Sequence, residues 1–203
     1  MRGVKNKDCS YILIKNTLDL LCAILLFPTL VLTLIIVGPA IYLTSGGPII
    51  YRSLRRGMNG QTFVIYKFRT MINNAPDIRK PDYSTVNGVE DPRVTKIGGI
   101  LRKTSIDELP QLINVLKGNM SIIGPRPDMS TRSYKDLGDL EKKRLVVKPG
   151  ITGFTQAYYR NSIPASEKYI KDCYYVDNMS VYLDFKILVR TLLAVVSAKN
   201  IVS

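Results

Sequence analysis

Residues 20–42 read LLCAILLFPTLVLTLIIVGPAIY and contain no charged side chain. As a helix with a rise of about 1.5 Å per residue, this stretch would be about 35 Å long, against about 30 Å for the hydrocarbon core of a bilayer. It therefore predicts a helix that lies in a membrane. A cleaved signal peptide fits poorly, because the stretch runs into Tyr42-Leu43-Thr44 rather than into small residues at a cleavage site.

Positive side chains flank this segment at both ends, and such residues mark the cytoplasmic side of a membrane segment. They are Arg2, Lys5, Lys7 and Lys15 before it and Arg52, Arg55 and Arg56 after it. Pro28 lies in the middle, where it removes a backbone donor and can kink the helix. We therefore predict a re-entrant helix, broken at Pro28, that enters and leaves one leaflet. A plain spanning helix is the alternative.

The composition limits the chemistry that the chain can perform. A formal net charge of +13 predicts an anionic partner: phosphorylated substrates, acidic lipid headgroups or nucleic acid. The absence of histidine excludes Ser-His-Asp and Cys-His nucleophile systems and HExxH metal sites. Three cysteines, with only Cys173 in the polar part, support neither a disulfide framework nor a cysteine-type zinc site. Neither common phosphate-binding glycine loop is present.

The polar part begins with a predicted β-hairpin. The apolar runs at 49–52 and 63–69 read as strands, and Gly57-Met58-Asn59-Gly60 reads as the turn between them. Residues 73–92 are polar and rich in Pro, Asn and Gly, which predicts a long loop. Near the C-terminus, Leu183, Ile187, Leu188 and Leu192 predict an amphipathic helix that faces core or lipid, with Lys186 and Arg190 outward.

A short helix is predicted from about residue 106 to 117, because Leu109, Leu112, Ile113 and Leu116 recur at helical spacing. Proline is tolerated only in the first turn of a helix, so Pro110 places the start near Asp107. Asp107 and Glu108 then lie at the helix N-terminus. There the helix dipole favours ionised carboxylates, which a carboxylate nucleophile or a Mg²⁺ ligand requires.

A structural explanation of these two carboxylates stays open. Ser105-x-x-Glu108 matches a capping box, and acidic residues are common in first turns for stability alone. Nearby cations favour the catalytic interpretation. Arg102 precedes the helix, and Pro125-Arg126-Pro127 follows it, so that positive side chains could hold phosphate at the helix start.

Taken together, the motifs resemble the bacterial sugar transferase family, the small monotopic polyprenyl-phosphate phosphoglycosyl transferases. Beside the proline-broken N-terminal helix, they are Arg55-x-Gly57-x-x-Gly60, Tyr66-Lys67-Phe68-Arg69-Thr70-Met71, Asp91-Pro92-Arg93-x-Thr95-x-x-Gly98, Leu101-Arg102-Lys103-x-Ser105-x-Asp107-Glu108-Leu109-Pro110-Gln111, Asn114-Val115-Leu116-x-Gly118-x-Met120-Ser121-x-x-Gly124-Pro125-Arg126-Pro127, Lys148-Pro149-Gly150-Ile151-Thr152-Gly153, and Asp172-x-x-Tyr175 to Ser180 with Asp184. The resemblance covers nearly the whole chain. It departs from the family pattern at residues 153–160, so the preferred sugar cannot be inferred from that region.

The resemblance implies a function and a set of site residues. Asp107 would be the nucleophile that attacks the β-phosphate of a nucleotide diphosphate sugar, and Glu108, with Asp107, would bind Mg²⁺. Arg102 and Arg126 would steady anionic groups, with Pro125 and Pro127 shaping the loop around Arg126. We further expect four other cations to bind substrate phosphate: Lys67, Arg69, Lys148 and Arg160.

The expected protein is a membrane-associated α/β enzyme with a re-entrant helix in residues 1–47 and a small mixed catalytic domain with interfacial amphipathic helices in residues 48–203. Its expected partners are a UDP-sugar donor, undecaprenyl phosphate and membrane lipids, without nucleic acid and with homodimer formation left open. We expect it at the cytoplasmic face of a bacterial inner membrane. Two alternatives are a membrane-anchored basic binding protein without catalysis and a phosphatase that uses water as acceptor.

Overall fold

A computed structural model describes residues 9–76, 78, 91–159 and 162–196. Within these residues, seven α-helices and four β-strands make a mixed α/β fold, as the sequence predicts. The helices are α1 (Cys9–Ser45), α2 (Lys96–Thr104), α3 (Leu112–Leu116), α4 (Asp139–Arg144), α5 (Phe154–Tyr158), α6 (Ala165–Asn178) and α7 (Val181–Val196). The strands are β1 (Ile50–Arg56), β2 (Thr62–Phe68), β3 (Ser121–Ile123) and β4 (Gly150–Thr152). A 3-10 turn over Ile106–Gln111, here called the Asp107 turn, lies between α2 and α3.

Helix α1 has 37 residues and is, in the described part of the chain, the one helix long and apolar enough to cross a membrane. At about 1.5 Å per residue it extends about 55 Å, well beyond the hydrocarbon thickness of a bilayer. It continues through both Pro28 and Pro39. The predicted division into two limbs at Pro28 is therefore not confirmed. Proline is tolerated inside an apolar helix when neighbouring groups satisfy the freed carbonyls.

The polar part of the protein contacts α1 at both ends. Near the start, Lys15 Nζ lies 3.0 Å from Asp184 Oδ2, and Asp19 Oδ1 accepts a 2.9 Å hydrogen bond from the Ile122 amide. At the other end, the Arg69 guanidinium donates to the backbone carbonyls that follow α1, including Gly47 at 2.8 Å. Between these points α1 buries Ala23, Leu30 and Ile41 in the main core. The helix is thus part of the folded unit.

Strands β1 and β2 form the predicted antiparallel hairpin, in which Tyr51 lies opposite Lys67. Phe63 and Ile65 of β2 face the core. The fully buried Asn114 of α3 forms two hydrogen bonds with the backbone of β2. Its Nδ2 donates to the Val64 carbonyl at 2.7 Å, and its Oδ1 accepts from the Tyr66 amide at 3.1 Å. These bonds fix the hairpin, and with it Lys67, against the segment that follows the Asp107 turn.

The second sheet is a short parallel pair, β3 and β4. The pairing continues past β3, because the Gly124 amide donates to the Thr152 carbonyl and the Gly150 amide donates to the Pro125 carbonyl, both at 2.9 Å. A Cβ atom on Gly150 would lie 2.1 Å from the Gly124 nitrogen, so only glycine permits this close approach. The pairing positions residues 125–128, here called the Arg126 loop.

Helix α7 has a buried side and an exposed apolar side. Ile187 is fully buried and Leu183 and Leu188 are partly buried, whereas Leu192 is 58% exposed; the prediction allowed these residues to face either core or lipid. Further exposed apolar side chains recur at helical spacing: Val181, Tyr182, Phe185, Val189 and Leu193. Most of the predicted loop at 73–92 lies outside the described residues.

Candidate active site

The Asp107 turn follows a left-handed residue that ends α2. Ser105 has φ of 57° and closes α2 through its amide, which donates to the Arg102 carbonyl at 3.2 Å. The chain then winds as a 3-10 turn that contains Pro110, and α3 begins at Leu112. A helical segment therefore starts near Asp107, as predicted, although its first six residues are 3-10 rather than α. The Ser105 side chain caps nothing, so the capping-box alternative is wrong.

Glu108 is held by two cations from distant parts of the chain. Its Oε1 lies 2.6 Å from Lys67 Nζ on β2 and 3.3 Å from Arg126 Nη1. Burial disfavours the ionised carboxylate, but the charges and hydrogen bonds of Lys67 and Arg126 outweigh it and lower the pKa of Glu108 to about 2. Glu108 is therefore a carboxylate throughout the physiological pH range.

The pKa of Asp107 is shifted in the opposite direction from that of Glu108. Burial and the neighbouring negative charge of Glu108 raise the pKa of Asp107 to about 6, although Lys67, Arg126 and Arg102 partly offset the rise. In the part of the chain that the structure describes, the Asp107 carboxylate accepts no hydrogen bond. The sequence predicted that a helix dipole would keep both carboxylates ionised. With a pKa of about 6, Asp107 is still mostly ionised at pH 7, but desolvation and Glu108 outweigh the small dipole of a single 3-10 turn, so its charge is less strongly favoured than the sequence suggested.

Seven of the predicted site residues line one cleft: Lys67, Arg69, Arg102, Asp107, Glu108, Arg126 and Pro127. Arg102 is oriented by a 2.9 Å hydrogen bond from its Nε to the Thr70 hydroxyl. Three cations thus surround two carboxylates, and the positive charges can also attract the phosphates of a substrate. The arrangement suits phosphoryl transfer, which depends on positioning and charge neutralisation more than on acid-base residues.

Three of the predicted phosphate-binding residues either have their described contacts away from the two carboxylates, as Arg69 and Lys148 do, or lie outside the described residues. The Arg69 guanidinium hydrogen-bonds Ser45, Gly46 and Gly47 at the end of α1, with 2.9 Å to the Ser45 carbonyl. Lys148 Nζ donates to Asn16 Oδ1 at 3.1 Å, near the start of α1. Arg160 lies outside the described residues. For these three, phosphate binding stays a prediction, and the contacts described for Arg69 and Lys148 are with α1 and the residues that directly follow it.

Backbone contacts and one buried arginine hold the Arg126 loop. The Pro125 carbonyl accepts from the Gly150 amide, and the Asp128 carbonyl accepts from the Arg56 amide, both at 2.9 Å. Arg144 Nη2 donates to the Arg126 carbonyl at 2.9 Å. The sequence reasoning missed Arg144, because it ends a Lys-Lys-Arg run that resembles a solvated surface. A pairing with the acidic Asp172, 28 residues later, is the one signal that could have indicated its burial.

The residues present can hold a magnesium ion in part. No group of three or more His, Cys, Asp or Glu side chains suited to a metal occurs within the described ranges. Mg²⁺, however, is commonly bound by one or two carboxylates together with substrate phosphates and water. Asp107 and Glu108 can supply the carboxylates, and the Asp107 oxygens are free of competing hydrogen bonds from described residues. The site therefore fits a metal that the substrate phosphates also bind.

Comparison with known proteins gives a consistent picture. Residues 10–198 match the model of the family described as bacterial sugar transferase. An uncharacterized sugar transferase of Bacillus subtilis, EpsL, is 39% identical over 191 residues, which are 93% of this chain and 90% of that protein.

Two longer relatives carry more specific names. The undecaprenyl-phosphate galactose phosphotransferase of Salmonella typhimurium is 38% identical over 88% of this chain. The UDP-glucose:undecaprenyl-phosphate glucose-1-phosphate transferase of Escherichia coli is 39% identical over 88% of this chain. The chain spans 39% of the length of each of these two proteins.

Proposed function

This chain belongs to the bacterial sugar transferase family, and we propose that it transfers a sugar 1-phosphate from a UDP-sugar to undecaprenyl phosphate. The products are UMP and undecaprenyl diphosphate sugar. The reaction would begin the assembly of a bacterial surface glycan. The names of the two longer relatives support both substrates, since one contains undecaprenyl phosphate and the other contains a UDP-sugar as well.

One observation carries the proposed chemistry. Asp107, a buried carboxylate without a hydrogen-bond partner among the described residues, lies beside the paired carboxylate Glu108, and the charges of Lys67, Arg102 and Arg126 act on it. An oxygen of ionised Asp107 attacks the β-phosphorus of the donor. The bond from that phosphorus to the bridging oxygen breaks, and UMP leaves with the electron pair. The sugar phosphate is then esterified to Asp107 as an acyl phosphate.

The second step regenerates the enzyme. A phosphate oxygen of undecaprenyl phosphate attacks the phosphorus of the acyl phosphate, and the Asp107 carboxylate leaves. Splitting the transfer in this way lets a water-soluble donor and a lipid acceptor use the same site in turn. Lys67, Arg102 and Arg126 stabilise the negative charge on the transferred group in both steps. A Mg²⁺ ion bound by Glu108 and Asp107 would neutralise phosphate charge when present.

The membrane arrangement is part of the proposal. Both ends of α1 contact the same polar unit, through Lys15 and Asp19 at one end and through Arg69 at the other. A helix that crosses the bilayer would put its two ends on opposite sides, so these contacts support a re-entrant α1. The positive residues at both ends favour the cytoplasmic face for the catalytic part. The exposed apolar side of α7, with Lys186 and Arg190 nearby, supports an interfacial position for that helix.

The test is a single-turnover experiment without the lipid acceptor. Purified protein is mixed with a panel of UDP-sugars and Mg²⁺, UMP is quantified, and the intact protein is weighed by mass spectrometry. We expect at most one UMP per enzyme and an added sugar phosphate that peptide mapping locates on Asp107. Addition of undecaprenyl phosphate should then remove the adduct. Asp107→Asn should form no adduct, whereas the exposed Asp139→Asn should behave as the wild type.

Other outcomes have definite meanings. Continuous UMP release without lipid identifies water as the acceptor and makes the protein a phosphatase. Turnover with lipid, but no UMP and no adduct before the lipid is added, identifies a single displacement and removes the nucleophilic role from Asp107. No reaction with any donor, together with binding of acidic vesicles that follows the number of Lys and Arg residues, identifies a basic binding protein.

A further inference from the structure

We propose that Arg144 is a positioning residue that holds Arg126 in the active site, and that the buried carboxylate of Asp172 holds Arg144 in turn. The inference rests on the proposed function for the role of Arg126 at the transferred phosphate. It concerns Arg144 on α4 and Asp172 on α6, which line the same cleft but make no described hydrogen bond to Asp107 or Glu108. The effect on the reaction passes through the backbone of the Arg126 loop.

Arg144 ends helix α4 and is only 4% exposed. Its guanidinium uses all three nitrogens. Nε donates to Asp172 Oδ2 at 2.9 Å, Nη2 donates to the Arg126 carbonyl at 2.9 Å, and Nη1 donates to the Asp128 carboxylate. The Tyr169 ring also packs against the guanidinium, with its centroid 4.5 Å from Cζ. One buried side chain thus contacts two residues of the Arg126 loop.

Asp172 is itself well fixed. It is 2% exposed, and besides Arg144 it accepts a hydrogen bond from the Thr155 hydroxyl on α5. Burial raises the pKa of Asp172, while Arg144 and Thr155 act in the opposite direction. A buried carboxylate with these partners gives the guanidinium a defined place and orientation, because the planar fork of arginine can satisfy several acceptors in one plane.

The Arg126 loop needs such support, because two of its four residues are prolines without an amide donor. The described hydrogen bonds of its backbone run through carbonyls: Pro125 accepts from the Gly150 amide, Asp128 from the Arg56 amide, and Arg126 from Arg144. The first two are backbone pairs that any sequence with the same fold could make. The third depends on the Arg144 side chain, which hydrogen-bonds directly to the backbone carbonyl of Arg126.

Contacts of the Arg126 side chain are weaker. Its side chain is 54% exposed, and its hydrogen bond to Glu108 is 3.3 Å long, against 2.6 Å for Lys67. An exposed side chain with one long contact is poorly restrained by its own neighbours, so its backbone must define where it points. A shift of the loop by about 1 Å can strongly slow a reaction that requires alignment.

A purely structural role for Arg144 is the competing explanation, since the residue also joins α4 to α6. The chain offers a matched control. The adjacent Lys143 joins the same two helices through Asp177, with 2.7 Å between Nζ and Oδ2, but this pair is exposed and the contacts described for Lys143 do not include the Arg126 loop. Loss of Lys143 therefore tests the helix connection alone, whereas loss of Arg144 also releases Arg126.

The decisive experiment is a double-mutant cycle in the acceptor-free half-reaction. Arg144→Lys keeps a positive charge beside Asp172 but cannot make all three contacts. We expect it to lower the rate of adduct formation at saturating UDP-sugar at least tenfold, with less than a threefold change in the donor concentration for half-maximal rate. Arg126→Gln should do the same. The double variant should be no slower than Arg126→Gln alone, because both changes remove one effect.

Lys143→Met should stay within about twofold of the wild type. Melting temperatures are recorded for every variant, and Thr155→Val, which loosens Asp172 without removing a charge, replaces Arg144→Lys if the latter does not fold. Losses that multiply in the double variant, or an Arg144→Lys enzyme with the wild-type rate, overturn the inference while the adduct in the wild type leaves the proposed function intact. A wild-type enzyme without an adduct overturns both.

Discussion

Nζ of Lys67 lies 2.6 Å from Oε1 of Glu108, although the two residues are 41 positions apart in the chain. The contact joins strand β2 to the Asp107 turn, and it distinguishes two neighbouring carboxyl groups. Glu108 is paired with Lys67 and Arg126, whereas Asp107 accepts no hydrogen bond from the described residues. One carboxylate is therefore permanently charged, and the other titrates close to neutral pH. This separation of two adjacent acids is a common basis for different catalytic roles.

The first prediction concerns pH. Asp107 must be ionised to attack phosphorus, and its pKa is about 6. The rate of acceptor-free UMP release should therefore fall about tenfold per pH unit below pH 6 and be nearly constant from pH 7 to 8. Glu108, with a pKa of about 2, should leave no mark in this range. Rapid-quench measurements between pH 4.5 and 8 test this, and a rate that holds steady down to pH 4.5 would contradict the assignment.

The second prediction concerns Lys67→Met. The charge of Lys67 lowers the pKa of both carboxylates, so its loss should make Asp107 harder to ionise. We expect the acidic limb of the pH profile to move up by about one pH unit, in addition to a lower plateau. Lys103→Met removes an exposed cation from the nearby α2 and should leave the limb in place. An unmoved limb in Lys67→Met would show that Lys67 does not influence the titrating group.

The third prediction is that Asp107→Asn makes the protein inactive and more stable. The pKa of Asp107 is raised in the folded state, so this residue favours folding while it is protonated, below about pH 4, and the benefit disappears as pH rises through about 6. At pH 7.5 the buried charge lowers stability by about 1–3 kcal/mol.

Melting curves in detergent test this directly. Asp107→Asn should melt several degrees above the wild type at pH 7.5, and the difference should shrink at pH 5, where the wild-type carboxyl is largely protonated. Asp139→Asn, at an exposed position, should change little at either pH. A variant that melts below the wild type at both pH values would mean that the Asp107 carboxylate stabilises the fold.

The fourth prediction concerns the metal. Oxygen ligands and a site shared with substrate phosphates favour Mg²⁺, so EDTA should abolish UMP release and excess Mg²⁺ should restore it, whereas a zinc-selective chelator should have no effect. Glu108→Gln should raise the Mg²⁺ concentration required for half-maximal rate and slow both half-reactions. Full turnover in EDTA, with no metal added, is the result that would remove the proposed metal role from Glu108.

The fifth prediction concerns topology. In a variant whose three native cysteines are replaced, single cysteines at position 2 and at position 203 should both react with a membrane-impermeant thiol reagent only after the cells are opened. This is the expectation for a re-entrant α1 with both ends in the cytoplasm. A cysteine introduced at an exterior loop of another inner-membrane protein serves as the positive control in sealed cells. Labelling of position 2 alone in sealed cells would establish a plain spanning helix.

Much of the architecture follows from local patterns. The hairpin was predictable because Gly57-Met58-Asn59-Gly60 separates two runs of strand-forming residues, and the start of the Asp107 turn was predictable because proline is confined to a first turn. The α1 segment was evident from its length and apolar character, but a pattern of apolar residues does not report how a helix behaves at Pro28.

The electrostatics of the site were not accessible to the same reasoning. The raised pKa of Asp107 depends on burial. Packing of the Asp107 turn against β2 and α3 contributes to this burial, which cannot be predicted from the residues next to Asp107 in the sequence. The structural roles of Arg69 and Arg144 could not be predicted from the sequence either. An arginine in a sequence usually indicates a residue that binds a ligand or lies at the surface. These two are buried, and each donates hydrogen bonds to backbone carbonyls of its own chain.

The contacts at the two ends of α1 bear on any attempt to make a water-soluble version of this enzyme. A chain that started at Pro48 would leave the nearly buried Arg69 without its three carbonyl acceptors, the Ile122 amide without Asp19, and Asp184 without Lys15. It would also open the core at Ala23, Leu30 and Ile41. Helix α1 is thus an internal component of the catalytic part and not a removable anchor, so solubilisation must redesign its outward face and keep its inward face intact.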